Sequence, residues 1–290
     1  MNNDSLVDQI ASREHYLVST PRTRRVLDAM RRVDRAKFIP DDDISITVVD
    51  EQSQRQLAQS LESVMGGDER PTMANIHQII LGTCEVMASS RTLNVSRRAL
   101  AYNDEVILIG YDQTCSQPSM VAFMADTLEL QPGMKVLEIG TGCGYHAAVT
   151  AELVGDQGKV YSVEFLPELA SLARRNLKNY FGPGYKKRVK VIRGDGSVGL
   201  PHKAPFDAIY FTAGVKLENF EPGLLAQQLK LPGGVLLYPE ENGIMVREKY
   251  GRFGYIEEIQ YYHGVGFVPL KGKNATPSDP ELSLARLAFG

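Results

Sequence analysis

The chain is poor in residues that build covalent or metal-held scaffolds. Its three cysteines, Cys84, Cys115 and Cys143, are an odd number with no CxxC pair. That argues against a disulfide framework and a zinc cage, and for a reducing compartment. The five histidines, His15, His77, His146, His202 and His263, are scattered, with neither HxxxH nor Cys/His spacing. No metal site is expected; His77 and Cys84 read as one apolar helix face, and His146 as a helix-surface residue. No stretch reaches the ~18 consecutive apolar residues of a membrane helix. Met1-Asn2-Asn3-Asp4-Ser5 lacks the positive region and apolar run of a secretory signal, so a cytoplasmic protein without membrane contact is expected. A strong charge of either sign is missing too. Thirty-two basic against thirty-five acidic side chains leave −3, which does not suit a chain that mainly grips nucleic-acid phosphates.

What is present is ordinary globular material: 290 residues, 43% hydrophobic and 23% charged, enough for one large domain with additions. Residues 1–43 read as an N-terminal helical segment, with Val26, Leu27, Met30 and Val33 on one face. The cluster Arg22, Arg24, Arg25, Arg31, Arg32 and Arg35 reads as the solvated face of that helix. Residues 44–98 are rich in Gln, Ser and Met and read as a helical insertion. Its helices are expected around Gln52–Met65 and Met73–Met87, split by Gly66-Gly67-Asp68-Glu69-Arg70-Pro71.

From Ala99 to about residue 270 strands and helices alternate. Strands are expected at Val106–Ile109, Lys135–Ile139, Lys159–Val163, Val189–Ile192, Ala208–Thr212 and Val235–Tyr238. Helices are expected around Val121–Leu128 and at His146–Val154, Pro167–Tyr180 and Leu224–Leu229. Such alternation implies an α/β, Rossmann-like fold: a mainly parallel twisted sheet with helices on both faces. Its ligand is expected beyond the carboxyl ends of the strands. Residues 271–290 are polar and read as a loosely held tail.

The informative stretch is Val136-Leu137-Glu138-Ile139-Gly140-Thr141-Gly142-Cys143-Gly144-Tyr145. A strand runs into a turn whose glycines, Gly140, Gly142 and Gly144, allow positive φ and close approach of a ligand. Thr141 and Tyr145 belong to the same lining. A dinucleotide fingerprint would be GxGxxG; here the spacing is GxGxG. Glu138 stands before the turn, where a carboxylate would repel a pyrophosphate and suit a cation. S-adenosylmethionine carries an ammonium and a sulfonium and no phosphate, so a methyl donor fits better. Glu164 ends the next strand, where an acidic side chain takes both ribose hydroxyls. Asp195 and Gly196 end the third strand, at the expected adenine edge. Thr212 ends the fourth, placed to face the methyl group or to pack.

Several segments resemble protein-L-isoaspartate O-methyltransferases. They are Val33-Asp34-Arg35-Ala36-Lys37-Phe38-Ile39-Pro40, Ala101-Tyr102-Asn103-Asp104, Ile109-Gly110-Tyr111-Asp112-Gln113-Thr114-Cys115-Ser116-Gln117-Pro118, Glu138–Tyr145, Gly194-Asp195-Gly196, Ala204–Ala213 and Phe267-Val268-Pro269-Leu270. The resemblance spans residues 21–43 and 99–270, and its most specific part is Gln-Thr-x-Ser-Gln-Pro. It implies methyl transfer from S-adenosyl-L-methionine to a carboxylate, releasing S-adenosyl-L-homocysteine. The implied acceptor is an L-isoaspartyl residue of a damaged protein or peptide, whose ester then closes to a succinimide unaided. It also implies a site loop in which Ser116 orients the acceptor carboxylate while Thr114 and Gln113 shape the loop. The same Ser-Gln-Pro reads equally as a helix N-cap. The sequence departs from the family pattern at Asp112, where glycine is usual, at Cys115 for isoleucine, and at Ser119 for a bulkier residue.

Two other readings stay open on the sequence. The chain could methylate an ordinary aspartate or another carboxylate of a dedicated peptide or small molecule, as the altered loop and the insertion suggest. It could also bind S-adenosylmethionine without turnover. A nucleic-acid amino methyltransferase is disfavoured, because Thr212-Ala213-Gly214-Val215 stands where Asn/Asp-Pro-Pro-Tyr/Phe would be needed. The sequence sets no oligomeric state.

Overall fold

The computed structural model describes residues 2–13, 20–48 and 91–272. The chain divides into two compact units, Met1–Pro40 with Leu100–Gly290, and Asp41–Ala99.

In the smaller unit, β1 (Asp43–Val48) pairs antiparallel with β2 (Arg91–Ser96), from Asp43 opposite Ser96 to Val48 opposite Arg91. Ion pairs Arg97–Asp42 (3.1 Å) and Arg98–Asp41 (2.8 Å) stand at its base. This ribbon was not foreseen, although the β-branched run Ile44-Ser45-Ile46-Thr47-Val48 favours extended chain. The helices expected around Gln52–Met65 and Met73–Met87, and the pair His77 and Cys84, lie outside the described residues. So does most of the expected polar tail.

The larger unit is built on a seven-stranded sheet. Five strands run parallel: β5 (Lys135–Ile139), β6 (Lys159–Glu164), β7 (Val189–Arg193), β8 (Ala208–Phe211) and β9 (Gly234–Pro239). β8 and β9 are buried at every position, as strands covered on both faces must be. The spatial order is β11-β10-β9-β8-β5-β6-β7. The chain therefore goes outward from β5 through β6 to β7, then returns to the other side of β5 for β8. That reversal between β5 and β8 is where an open α/β sheet leaves a crevice for a ligand.

The helices crossing over these strands are α4 (Tyr145–Val154) and α5 (Pro167–Phe181), while α3 (Pro118–Thr127) precedes β5. α6 is a single short turn, Pro222–Ala226, rather than the expected Leu224–Leu229. Gln228 there turns its side chain to the Leu200 N–H (2.7 Å) and the Val198 carbonyl (2.8 Å). The sheet also extends into an antiparallel hairpin, β10 (Ile244–Tyr250) and β11 (Ile256–His263), that the sequence did not flag. β11 is an exposed edge strand, so it lacks the buried pattern that marks a strand.

The N-terminal helices α1 (Asn3–Arg13) and α2 (Pro21–Arg32) belong to the same unit. Thr20 caps α2 by accepting from the Thr23 N–H (3.1 Å), with Pro21 in the first turn. The buried face Val26, Leu27, Ala29 and Met30 packs over α3 and α4. Each large apolar side chain so buried contributes roughly 1.5–3 kcal/mol. The opposite face is solvated only in part: Arg24 and Arg32 are exposed, while Arg22 and Arg31 are half-buried, and Arg22, Arg31 and Arg32 pair with Asp126, Asp8 and Glu152. Arg35 is wholly buried, for a reason that lies in the site.

Candidate cofactor and acceptor site

The glycine turn joins β5 to α4. Gly140 has φ +98° and Gly142 φ +55°, conformations that side chains rarely adopt. Space is tight as well. A Cβ at Gly140 would collide with the Thr212 hydroxyl, and one at Gly142 would press on Ile109. Thr212, at the end of β8, donates to the carbonyls of Gly140 (2.6 Å) and Ile139 (3.2 Å). Its hydroxyl hydrogen holds the turn, and the residue also lines the pocket.

Glu164, at the end of β6, accepts from the Gly142 N–H (2.8 Å) and the Leu166 N–H (3.0 Å). Burial raises its pKa, and these N–H groups pull it back. Among the described residues it is the one carboxylate in the pocket lining, where Lys271 is the one lysine and no arginine stands.

Glu138 departs from its expected role. It is wholly buried behind the turn and does not line the pocket. The Tyr210 hydroxyl donates to its Oε1 (2.8 Å) and the Ser162 hydroxyl to its Oε2. Thr141 bonds Ser162 (2.5 Å) and Thr150 bonds Tyr210 (2.9 Å), extending the network. Burial, only partly offset by these bonds, pushes the Glu138 pKa up to about 8. A carboxyl that is largely protonated near neutrality cannot supply the charge the sequence reading gave it. The carboxylate that does line the pocket is Glu164.

The candidate acceptor loop is a small hairpin, β3 (Ile107–Gly110) and β4 (Gln113–Cys115). Tyr111 and Asp112 form its two-residue turn with φ +57° and +55°, the pairing that two-residue hairpins require. Aspartate tolerates that conformation better than most residues. The Asp112 side chain is exposed and outside the pocket lining. Gln113, Thr114, Cys115 and Ser116 do line the pocket.

Ser116 is not the N-cap of α3. That place is taken by Gln117, without a side-chain cap bond. Asp104 satisfies the helix end instead, accepting from the Ser119 N–H (2.8 Å) and from Gln117 Nε2 (3.2 Å). Ser116 stands in the pocket lining instead.

Arg35 explains why the loop stays in place. Its Nη1 donates to the carbonyls of Ala101 (3.2 Å) and Asn103 (3.1 Å). Its Nη2 donates to Glu105 (2.8 Å), Ser116 (3.0 Å) and, at 3.5 Å, Cys115. One planar guanidinium thus gathers the backbone before and after the hairpin. Only the fold shows this, because the carbonyls it binds lie 66 to 81 residues downstream.

The pocket is a cleft open to solvent. It brings together Gly140, Thr141, Gly142, Tyr145, Glu164, Gly196 and Thr212 with Gln113, Thr114 and Ser116. Glu138, Gly144 and Asp195 are outside the lining. Gly144 instead lets α5 approach, since a Cβ there would touch Ala173. Asp195 accepts from the Ser197 N–H (2.9 Å). Phe165, half-exposed beside Glu164, offers an aromatic face that the sequence reading missed. Two buried polar groups of the lining have no hydrogen-bond partner: the Tyr145 hydroxyl and both nitrogens of His146. Among the described residues, the glycine cradle, the single carboxylate and the lack of a cationic cluster fit a nucleoside without phosphate.

Residues 80–275 match the family model described as protein-L-isoaspartate(D-aspartate) O-methyltransferase. The chain is 46% identical over 183 residues to protein-L-isoaspartate O-methyltransferase 1 of Archaeoglobus fulgidus, covering 60% of this chain and 81% of that one. It is 44% identical over 180 residues to the enzyme so named from Methanothrix thermoacetophila, covering 61% and 80%. Among solved structures, a putative protein-L-isoaspartate O-methyltransferase of Plasmodium falciparum in complex with S-adenosyl-L-homocysteine superposes with TM-score 0.61. It is 19% identical and covers 93% of this chain and 99% of that one. A second, named protein-L-isoaspartate O-methyltransferase, gives TM-score 0.62 at 23% identity, covering 94% and 66%. At those identities the two structures speak for the fold.

Proposed function

The chain belongs to the protein-L-isoaspartate(D-aspartate) O-methyltransferase family, and we propose that it methylates the free carboxylate of L-isoaspartyl residues in damaged proteins or peptides, as a repair enzyme. The observation that carries this reading is one pocket in which the glycine turn, Glu164 and the Gln113–Ser116 loop face each other.

S-adenosylmethionine, when bound, supplies an electrophilic methyl group on a sulfonium. Glu164 would accept the ribose hydroxyls with the lone pairs that Gly142 and Leu166 leave free. Phe165 would cover a purine face, and Gly140 and Gly142 let the nucleoside lie close to the backbone. The acceptor carboxylate is already ionised at neutral pH, so no strong general base is needed. What remains is alignment. The Ser116 hydroxyl would donate to one carboxylate oxygen, while Thr114 and Gln113 shape the loop that Arg35 holds. Among the described residues no helix is long and apolar enough to cross a membrane. With free thiols at Cys115 and Cys143, we place the enzyme in the cytoplasm.

The test is incubation with labelled S-adenosylmethionine and paired peptides that differ only in isoaspartyl or aspartyl linkage. Base-labile methyl ester on the isoaspartyl peptide alone is expected. Ester on the aspartyl peptide alone, or on neither, would sink the repair reading. The motives for a different carboxylate were the altered loop and the insertion; the exposed turn position of Asp112 weakens the first of them.

A further inference from the structure

His146 is the second residue of α4, directly after the glycine turn. The sequence suggested a helix-surface histidine; the fold buries it, with 6% of its surface exposed. The residue is part of the pocket lining, and its ring packs 4.8 Å from the ring of Tyr210. Neither ring nitrogen has a hydrogen-bond partner. Burial drives its pKa down to about 3, so the ring is neutral at physiological pH and keeps one N–H donor and one acceptor. A buried polar group left unpaired in a native fold calls for an explanation. A ligand in the pocket is one.

Position narrows what that ligand group is. Tyr210 lies on β8, Glu164 ends β6, and β5 runs between them. His146 therefore marks the β8 side of the pocket, away from the carboxylate assigned to the ribose. A nucleoside anchored at Glu164 and lying across the glycine turn brings its non-nucleoside end to this side. The first turn of α4 also carries backbone N–H groups without intrahelical partners and the positive end of the helix dipole, both of which favour an anion. No hydrogen bond fixes the imidazole. A half-turn about χ2 exchanges its carbon and nitrogen positions and can set an N–H against the ligand.

We propose that His146 is a binding residue for the amino-acid end of the methyl donor, donating an N–H to its carboxylate. This rests on the function proposed above, and it adds a contact specific to one half of the cofactor. Glu164 holds the nucleoside half, and His146 makes the site select for the amino-acid half.

Two ligands separate that role from a packing role: S-adenosylhomocysteine, and 5′-methylthioadenosine, which lacks the amino-acid end. Calorimetry on wild type, His146→Leu and His146→Gln gives the cycle. His146→Leu is expected to weaken S-adenosylhomocysteine about tenfold, the loss typical of one hydrogen bond to a charged group. Its affinity for 5′-methylthioadenosine should be unchanged, and His146→Gln, which keeps a donor, should recover most of the loss. Thermal unfolding of His146→Leu should be no lower than wild type, because leucine strands no polar atom. Equal weakening of both ligands would overturn the proposal in favour of pocket shape, and no weakening of either would overturn it outright. A raised KM for the isoaspartyl peptide with unchanged S-adenosylhomocysteine affinity would assign His146 to the acceptor and overturn it as well. Failure of wild type to bind S-adenosylhomocysteine would sink the proposed function, and this inference with it, before any variant is measured.

Discussion

Removing the Arg35 guanidinium perturbs the acceptor loop without touching either ligand directly. Arg35→Ala deletes a wholly buried cation whose donors reach five carbonyls, four of them at 2.8–3.2 Å and that of Cys115 at 3.5 Å. The last is too long to count for much. Four acceptors would be left short of a partner, each costing roughly 1–3 kcal/mol if nothing replaces it. Water entering the vacated space relieves part of this. The expected net loss is about 3–5 kcal/mol, as for breaking other buried charged networks. That is a large fraction of the roughly 5–15 kcal/mol by which a domain is stable. Urea unfolding with linear extrapolation measures it. Arg35→Lys keeps the charge but offers one nitrogen in place of the fork, so it should fold and still show a displaced loop. Its KM for an isoaspartyl peptide should rise several-fold while S-adenosylhomocysteine affinity stays within twofold. A loss below about 1 kcal/mol in Arg35→Ala, together with a wild-type KM in Arg35→Lys, would refute the reasoning.

Three further outcomes follow from the same geometry. Glu138 has a folded-state pKa of about 8 against an ordinary 4.5. The protonated carboxyl therefore contributes stability in full below about 4.5, progressively less as pH rises, and none above about 8. Glu138→Gln stays neutral and should flatten that decline in urea unfolding between pH 5 and 9; parallel pH profiles for variant and wild type would count against it. Gly140→Ala forces a Cβ into the Thr212 hydroxyl at φ +98°. It should lower the melting temperature and weaken S-adenosylhomocysteine by about tenfold or more; wild-type binding would show that the turn adapts. Ser116→Ala removes one donor to the acceptor carboxylate. It should cut kcat/KM for the isoaspartyl peptide roughly ten- to hundredfold at unchanged cofactor affinity, and unchanged kcat/KM would remove Ser116 from the reaction.

The sequence by itself determined the parallel core and the location of the site. Strands β5, β6, β7, β8 and β9 each differ from the expected bounds by at most one residue per end. β8 and β9 are continuous apolar runs, as strands covered on both faces must be, whereas the edge strand β7 alternates; all five are set off by glycine, proline or charged turns. The glycine turn, Glu164 and the Gln113–Ser116 loop were legible for a related reason. Close backbone approach and ribose recognition need particular residue types at the ends of successive strands, and strand ends can be counted along a chain. What only the tertiary structure decided depends on partners distant in sequence. Arg35 is written into an arginine-rich helix and linker, yet it is buried because carbonyls 66 to 81 residues later converge on it. Glu138 looks like a pocket carboxylate, but Ser162 and Tyr210 enclose it, and burial takes its charge. His146 sits on a helix that a periodicity reading leaves half in water, and the ring of Tyr210 and the pocket wall enclose it. Charge and accessibility are properties of surroundings, and a residue's surroundings exist only once the chain has closed on itself.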